Sequence, residues 1–121
     1  MALIILADDD YDVRLSTRML IEDHGHQCLD FSNGDDALDA LRANRDAELL
    51  ISDVSMPSSD GRDMVDILRN GPPRFRSMPV ILISGIIPEQ TMKLHTKDTL
   101  CKFLKKPFTG DQLRETIDKM L

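Results

Sequence analysis

The sequence predicts an α/β fold: a doubly wound five-stranded parallel sheet with helices on both faces. Three observations predict it. Short continuous apolar runs recur along the chain, Leu3-Ile4-Ile5-Leu6, Leu49-Leu50-Ile51 and Val80-Ile81-Leu82-Ile83. They are too short for helices, and their continuity marks strands buried on both faces, as in parallel sheets. Between them lie segments whose apolar residues follow helical spacing. Strand and helix alternating about five times, joined by right-handed crossovers, place helices on both sides of the sheet. The length of 121 residues fits a single domain spanning residues 1–121.

Each element has its own signature. After the first strand, Val13, Thr17, Leu20 and Ile21 share a helix face, and Gly25 stops that helix. The stretch His26–Phe31 mixes polar and apolar residues, which marks an edge strand. Ala37, Leu38 and Leu41 line a second helix; Met64, Val65 and Leu68 line a third, with Ser59 and Asp60 as its opening. Asn70-Gly71-Pro72-Pro73 through Ser77 reads as a connection. The segment after Pro88 is the weakest helix, because Met92 and Leu94 make no stripe. Phe103-Leu104 is a short fifth strand. Thr109 and Gln112 form a capping-box pattern ahead of a last helix lined by Leu113, Ile117, Met120 and Leu121.

Composition removes several function classes. Lys plus Arg number 15 and Asp plus Glu number 21, a net charge of −6. So acidic a chain has no basic field for gripping phosphate backbones, and it has no Trp to stack on bases. Direct nucleic-acid binding is not expected. The longest apolar run, Met1–Ala7, falls far short of the ~18 residues of a membrane span. It also lacks the basic flank and cleavage site of a signal peptide, so the expected compartment is the cytoplasm. Cys28 and Cys101 are neither a disulfide framework nor a metal set, and read as buried or half-buried thiols. His24, His26 and His95 show no metal-ligand spacing among themselves, and His24 reads as a helix-dipole contact at most. Arg74, Arg76 and Lys105 read as solvated rim.

In doubly wound sheets the site forms outside the carboxyl ends of the strands. Asp8-Asp9-Asp10 follow the first strand, Asp53 the third, Ser84 the fourth and Lys106 the fifth. Taken singly, each is a turn residue, a cap or a solvated charge. Converging on one sheet edge, they become a constellation. Clustered carboxylates repel and resist burial, so Asp8, Asp9 and Asp53 together demand a cation. An all-oxygen set suits Mg²⁺, with Mn²⁺ as a substitute. A hydroxyl (Ser84) and an ammonium (Lys106) beside such an ion suit a phosphoryl group, whose equatorial charge they would share.

These residues carry a family resemblance. The chain resembles the receiver domain of two-component response regulators, the CheY-like phosphoacceptor fold. The matching pieces are Asp8-Asp9 with Arg14 downstream, Asp53-Val54-Ser55-Met56-Pro57 with Asp60-Gly61, Ser84, and Lys106-Pro107-Phe108. The resemblance runs from about Leu3 to the C-terminus, and implies a flavodoxin-like sheet with strand order 2-1-3-4-5. It implies that Asp53 is the phosphoacceptor, a carboxylate nucleophile forming an acyl phosphate. It makes Asp9 a direct Mg²⁺ ligand, Asp8 a ligand mainly through water, and Ser55 a ligand through its backbone carbonyl. Ser84, where many members have Thr, becomes the switch hydroxyl. Lys106 pairs with a phosphoryl oxygen, the Lys106-Pro107 bond is expected to be cis, and Phe103 takes the aromatic switch position.

The function so implied is a phosphorylation switch rather than an enzyme, although such a domain can catalyse its own phosphotransfer and dephosphorylation. A histidine kinase or phosphotransfer protein supplies the phosphoryl group. The signal leaves by the face of the helix after Pro88, the last strand and the last helix, towards an output protein or domain, with homodimerisation on phosphorylation a further route. Two rival readings stand beside this one. Asp8-Asp9-Asp10 literally satisfies the Asp-x-Asp pattern of aspartyl-phosphate hydrolases of the haloacid-dehalogenase type, but the chain is small for their cap. A phosphorylation-independent interaction module is the other rival, and the intact acidic set, Ser84 and Lys106 argue against it.

Overall fold

A computed structural model describes residues 1–54, 56, 59, 60, 63–85 and 98–121. The predicted helix after Pro88, and Ser55, lie outside the described residues. The elements run β1 (Leu3–Ala7), α1 (Tyr11–Asp23), β2 (Gln27–Phe31), α2 (Gly34–Ala43), β3 (Ala47–Asp53), α3 (Met64–Arg69), α4 (Pro73–Arg76), β4 (Val80–Ser84), β5 (Cys101–Lys105) and α5 (Gly110–Met120). The strands form one sheet in the order β2-β1-β3-β4-β5. Every neighbouring pair is parallel, as the apolar runs and the resemblance predict.

Side-chain alternation explains why the central runs are continuous. Successive strand residues point to opposite faces, and both faces are covered. Ile4 and Leu6 of β1, Leu49 and Ile51 of β3, and Ile81 and Ile83 of β4 pack with Ile21 of α1 and Leu113 and Ile117 of α5. Their chain neighbours Ile5, Ala7, Leu50, Val80 and Leu82 pack on the other side with Leu38 and Leu41 of α2, Val65 and Leu68 of α3, and Phe75 of α4. Full burial of such a side chain stabilises the fold by about 1.5–3 kcal/mol, so the two layers hold the strand ends in fixed register. β2 and β5 are the edges, and both mix buried with exposed positions. That is why His26–Phe31 reads as polar-apolar and why β5 has so little apolar signal.

The caps follow local chemistry. Asp10 opens α1, its carboxylate accepting from the Val13 N–H at 3.2 Å. Gly25 turns the chain out of α1 at φ +89°, in the left-handed region that glycine enters at least cost. Thr109 and Gln112 complete the predicted capping box of α5. Two expectations are corrected. α3 starts at Met64 and is capped by Asp63, which accepts from the Val65 N–H at 2.8 Å; Ser59 and Asp60 sit in a turn before it. The Asn70–Ser77 connection contains a helical turn, α4. Pro73 stands at its first turn, where a missing N–H does no harm, and Phe75 is driven into the core. Among the described residues no helix is long and apolar enough to cross a membrane.

Candidate functional site

Parallel pairing brings the carboxyl ends of β1, β3, β4 and β5 to one edge of the sheet. Asp8 follows β1 directly, Asp53 and Ser84 are the last residues of β3 and β4, and Lys106 follows β5. Asp8 and Asp53 are buried and Asp9 is exposed. Carboxylate oxygens of the three acids lie within 4.8 Å of one another. The Lys106 ammonium joins two of them, donating to Asp8 Oδ2 at 3.1 Å and Asp53 Oδ2 at 3.2 Å. The Lys106 backbone N–H donates to the Ser84 carbonyl at 2.8 Å, which keeps β5 in line with β4 at the site. The Lys106-Pro107 peptide is cis. Phe103 is half-buried on β5, against the core layer that contains Leu82.

Asp8 is held from several sides. Its Oδ1 accepts from the Asp10 N–H at 2.9 Å, and its own N–H donates to the Phe31 carbonyl at 3.1 Å. Arg14 donates from Nη1 to the Asp8 carbonyl at 2.8 Å and from Nε to Asp30 Oδ2 at 3.0 Å. Arg18 also pairs with Asp30. Arg14 thus ties the end of β1 to the end of β2. Its place downstream of Asp8-Asp9 is legible in the sequence; its partner Asp30, on another strand, is not.

Burial pushes the Asp8 carboxyl pKa up, further than the Asp10 N–H and the Lys106 ammonium pull it down. Burial also opposes the charge on Lys106, but the Asp8 hydrogen bond and the Asp53 and Asp8 charges outweigh it and raise the lysine pKa. An ion pair alone would lower the first and raise the second. Both rise because the Asp8 side chain has no exposed surface whereas Lys106 keeps 20%. The Lys106 ammonium therefore does not offset the burial of the Asp8 carboxylate. Two carboxylates with oxygens within 4.8 Å of one another repel by at least about 3 kcal/mol at an effective dielectric of 20. Three oxygen donors with surplus negative charge, one of them open to solvent, fit a hard divalent cation that keeps part of its water.

The comparisons with known proteins agree with this geometry. The response regulator receiver domain family matches residues 4–118. The chain belongs to that family. It is 34% identical over 122 residues to the response regulator Rre1 of Synechocystis sp., covering 98% of this chain and 51% of Rre1. It is 28% identical over 119 residues to the chemotaxis protein CheY1 of Helicobacter pylori, covering 98% of this chain and 95% of CheY1. The structure of the chemotaxis protein CheY4 of Vibrio cholerae superposes with a TM-score of 0.87 over 100% of this chain and 99% of CheY4, at 23% identity, and shows the shared fold. The chain spans about half the length of Rre1 and 16% of the sensor kinase/phosphatase CqsS of Vibrio cholerae. Receiver domains thus occur among its relatives as nearly whole proteins and as parts of regulators and sensor kinases. The chain is a receiver domain of the two-component type, a signalling switch.

Away from this edge, the structure adds a contact that spacing could not show. His24 Nε2 lies 2.8 Å from Asp118 Oδ1, across 94 residues of sequence. Cys28 and Cys101 are buried free thiols, as predicted.

Proposed function

We propose that Asp53 is the phosphoacceptor of residues 1–121, acting as one receiver domain. A carboxylate oxygen of Asp53 attacks the phosphorus of a phosphohistidine on a histidine kinase or phosphotransfer protein. The oxygen–phosphorus bond forms as the nitrogen–phosphorus bond breaks, and the imidazole leaves with its electron pair and takes up a proton. The observation that carries this reading is the Lys106 ammonium bridging Asp8 and Asp53 at 3.1 and 3.2 Å, in the same cluster as Asp9, at the sheet edge of a receiver domain.

Asp8, Asp9 and Asp53 would hold Mg²⁺, together with the backbone carbonyl of Ser55. A bound divalent ion there offsets the carboxylate and phosphoryl charges. The chain's own residues do the rest. Phosphorylation adds about −1.5 to −2 of charge, which draws Lys106 Nζ away from its shared position and the Ser84 hydroxyl towards the new oxygens. Moving a two-state equilibrium from 1:99 to 99:1 takes about 5.5 kcal/mol. A few charge-assisted hydrogen bonds at about 1.5–3 kcal/mol each are enough. Phe103 then shifts with Ser84, and the change is read by an output protein or domain on the face of β5, α5 and the segment after β4, or by a second copy of the domain. The same site supports the domain's own dephosphorylation by water. The setting is the cytoplasm, where kinase domains and phosphodonors are present.

The test is intact-mass measurement after incubation with acetyl phosphate and Mg²⁺, with Asp53→Asn beside the native protein. A gain of one phosphoryl group in the native chain alone is expected; no gain, or an equal gain in Asp53→Asn, overturns the assignment. A haloacid-dehalogenase-type activity would instead turn over a generic phosphate ester and be lost in Asp8→Asn. Family membership favours the switch.

A further inference from the structure

At the sheet edge opposite the acidic cluster, three side chains from distant parts of the chain converge. His24 ends α1, and Gly25, at φ +89°, reverses the chain so that His26 faces it. The two imidazoles meet edge to face, with centroids 5.3 Å apart. Asp118, in the last turns of α5, accepts from or pairs with His24 Nε2 at 2.8 Å. One nitrogen from each histidine and one oxygen of Asp118 lie within 4.8 Å of one another.

We propose that His24, His26 and Asp118 form a second metal site, selective for a borderline first-row divalent ion such as Zn²⁺. Three features support it. The donor set is two imidazoles and one carboxylate, which suits Zn²⁺, Ni²⁺ or Cu²⁺, whereas the all-oxygen cluster at Asp53 suits Mg²⁺. The reach is right: zinc–nitrogen bonds of 2.0–2.1 Å put tetrahedral ligand atoms about 3.3 Å apart. Closing the longest separation from at most 4.8 Å asks for small rotations of side chains that are not locked in the core. His24 keeps 25% and Asp118 keeps 65% of its side-chain surface exposed, so solvent can fill the remaining position.

The site has a distinctive competitor. His26 Nδ1 accepts a hydrogen bond from the Ala2 N–H at 2.9 Å, so in the neutral ring the proton sits on Nε2. A metal needs a bare ring nitrogen. Either it takes Nδ1 and displaces the Ala2 N–H, or the proton moves to Nδ1 and turns against that N–H. Both routes release the Ala2 amide. Metal binding is therefore coupled to the start of β1 as well as to the α1–α5 contact. A ligand that binds the folded chain through α1, α5 and the β2 entry also raises its stability by mass action.

The experiment is calorimetric titration of the full chain with Zn²⁺ in excess Mg²⁺, which fills the acidic edge, followed by thermal melting and amide spectra. About one equivalent of Zn²⁺ should bind, raise the melting midpoint and shift the Ala2 amide resonance. His24→Gln and His26→Gln should each weaken binding at least about tenfold. Asp118→Asn, at a largely exposed position, should do the same without disturbing the fold, and Asp53→Asn should bind Zn²⁺ like the native chain. No Zn²⁺ uptake in Mg²⁺, undiminished uptake by Asp118→Asn, or loss of uptake in Asp53→Asn would each overturn the proposal.

Discussion

Replacing Lys106 by Met removes the only ammonium seen bridging the buried acids among the described residues. Native Lys106 bonds Asp8 and Asp53 at 3.1 and 3.2 Å. Breaking a buried ion pair by deleting one partner costs about 3–5 kcal/mol, because the surviving charge stays buried without its partner. The lysine side chain is 20% exposed and the Asp8 side chain 0%, and Asp8 keeps the Asp10 N–H. These features place the expected loss at the lower end, about 3 kcal/mol. For a domain of this size that is a fall of about 12 °C in melting midpoint. Urea unfolding in EDTA at neutral pH measures the loss directly. Repeated in excess Mg²⁺, the native–variant gap should narrow, since a divalent ion on the same carboxylates replaces the missing positive charge. A loss under about 1 kcal/mol in EDTA, the range of exposed pairs, would refute the view that this pair is desolvated. An unchanged gap in Mg²⁺ would refute the view that the ion and the ammonium answer the same charge.

Two further predictions test the scaffold. Gly25→Ala should lower stability by about 1–2 kcal/mol; a Cβ there meets no atom within 4 Å, so the loss is conformational, and an unchanged urea midpoint would contradict it. Burial pushes the Cys28 and Cys101 thiols up to about 12 from 9.0. Their folded pKa values exceed the unfolded ones, so their contribution is complete below pH 9.0 and is lost as pH rises towards about 12. The urea midpoint should therefore fall more steeply over that range in the native protein than in a Cys28→Ala, Cys101→Ala variant, and parallel curves would refute the assignment.

The central strands are legible in sequence because burial on both faces removes polar residues altogether. Ile4 and Ile5 sit in different core layers, and only a doubly covered sheet makes neighbours both apolar. The edges are less legible because half their residues face water, as Gln27 and Leu29 do on β2 and Lys102 and Lys105 do on β5. The acidic site is legible because each group ends or follows a strand, so the topology alone brings the groups together. Helix starts are harder where several capping residues lie close in sequence: Ser59, Asp60 and Asp63 can all cap, and Asp63 does. α4 is hidden because Pro72-Pro73 signals a turn as strongly as a first helical turn. The His24–Asp118 pair lies beyond any local reading, since it depends on α1 and α5 packing on the same sheet face.

The same packing limits how a signal would leave Asp53 if it is the phosphoacceptor proposed above. The Lys106 main chain is pinned by its N–H to the Ser84 carbonyl at 2.8 Å, and β4 pairs with β5 from Val80 and Cys101 to Ser84 and Lys105. Lys106 Nζ can therefore change partners without moving its backbone, while a shift of the Ser84 backbone must be followed by β5. Phe103 lies on β5 opposite Leu82 of β4, half-buried against the core. β5 is an edge strand with exposed positions, so it can move without opening the doubly buried centre of the sheet. On the proposed reading, charge added at Asp53 would be answered locally by Nζ and mechanically along the Ser84–β5 edge. The two responses separate experimentally. Lys106→Met should weaken the response to charge while leaving Phe103 coupled to Ser84; Phe103→Ala should leave phosphoryl uptake intact and remove the conformational readout. Loss of uptake in Phe103→Ala would show that the edge belongs to the chemistry and not to its transmission.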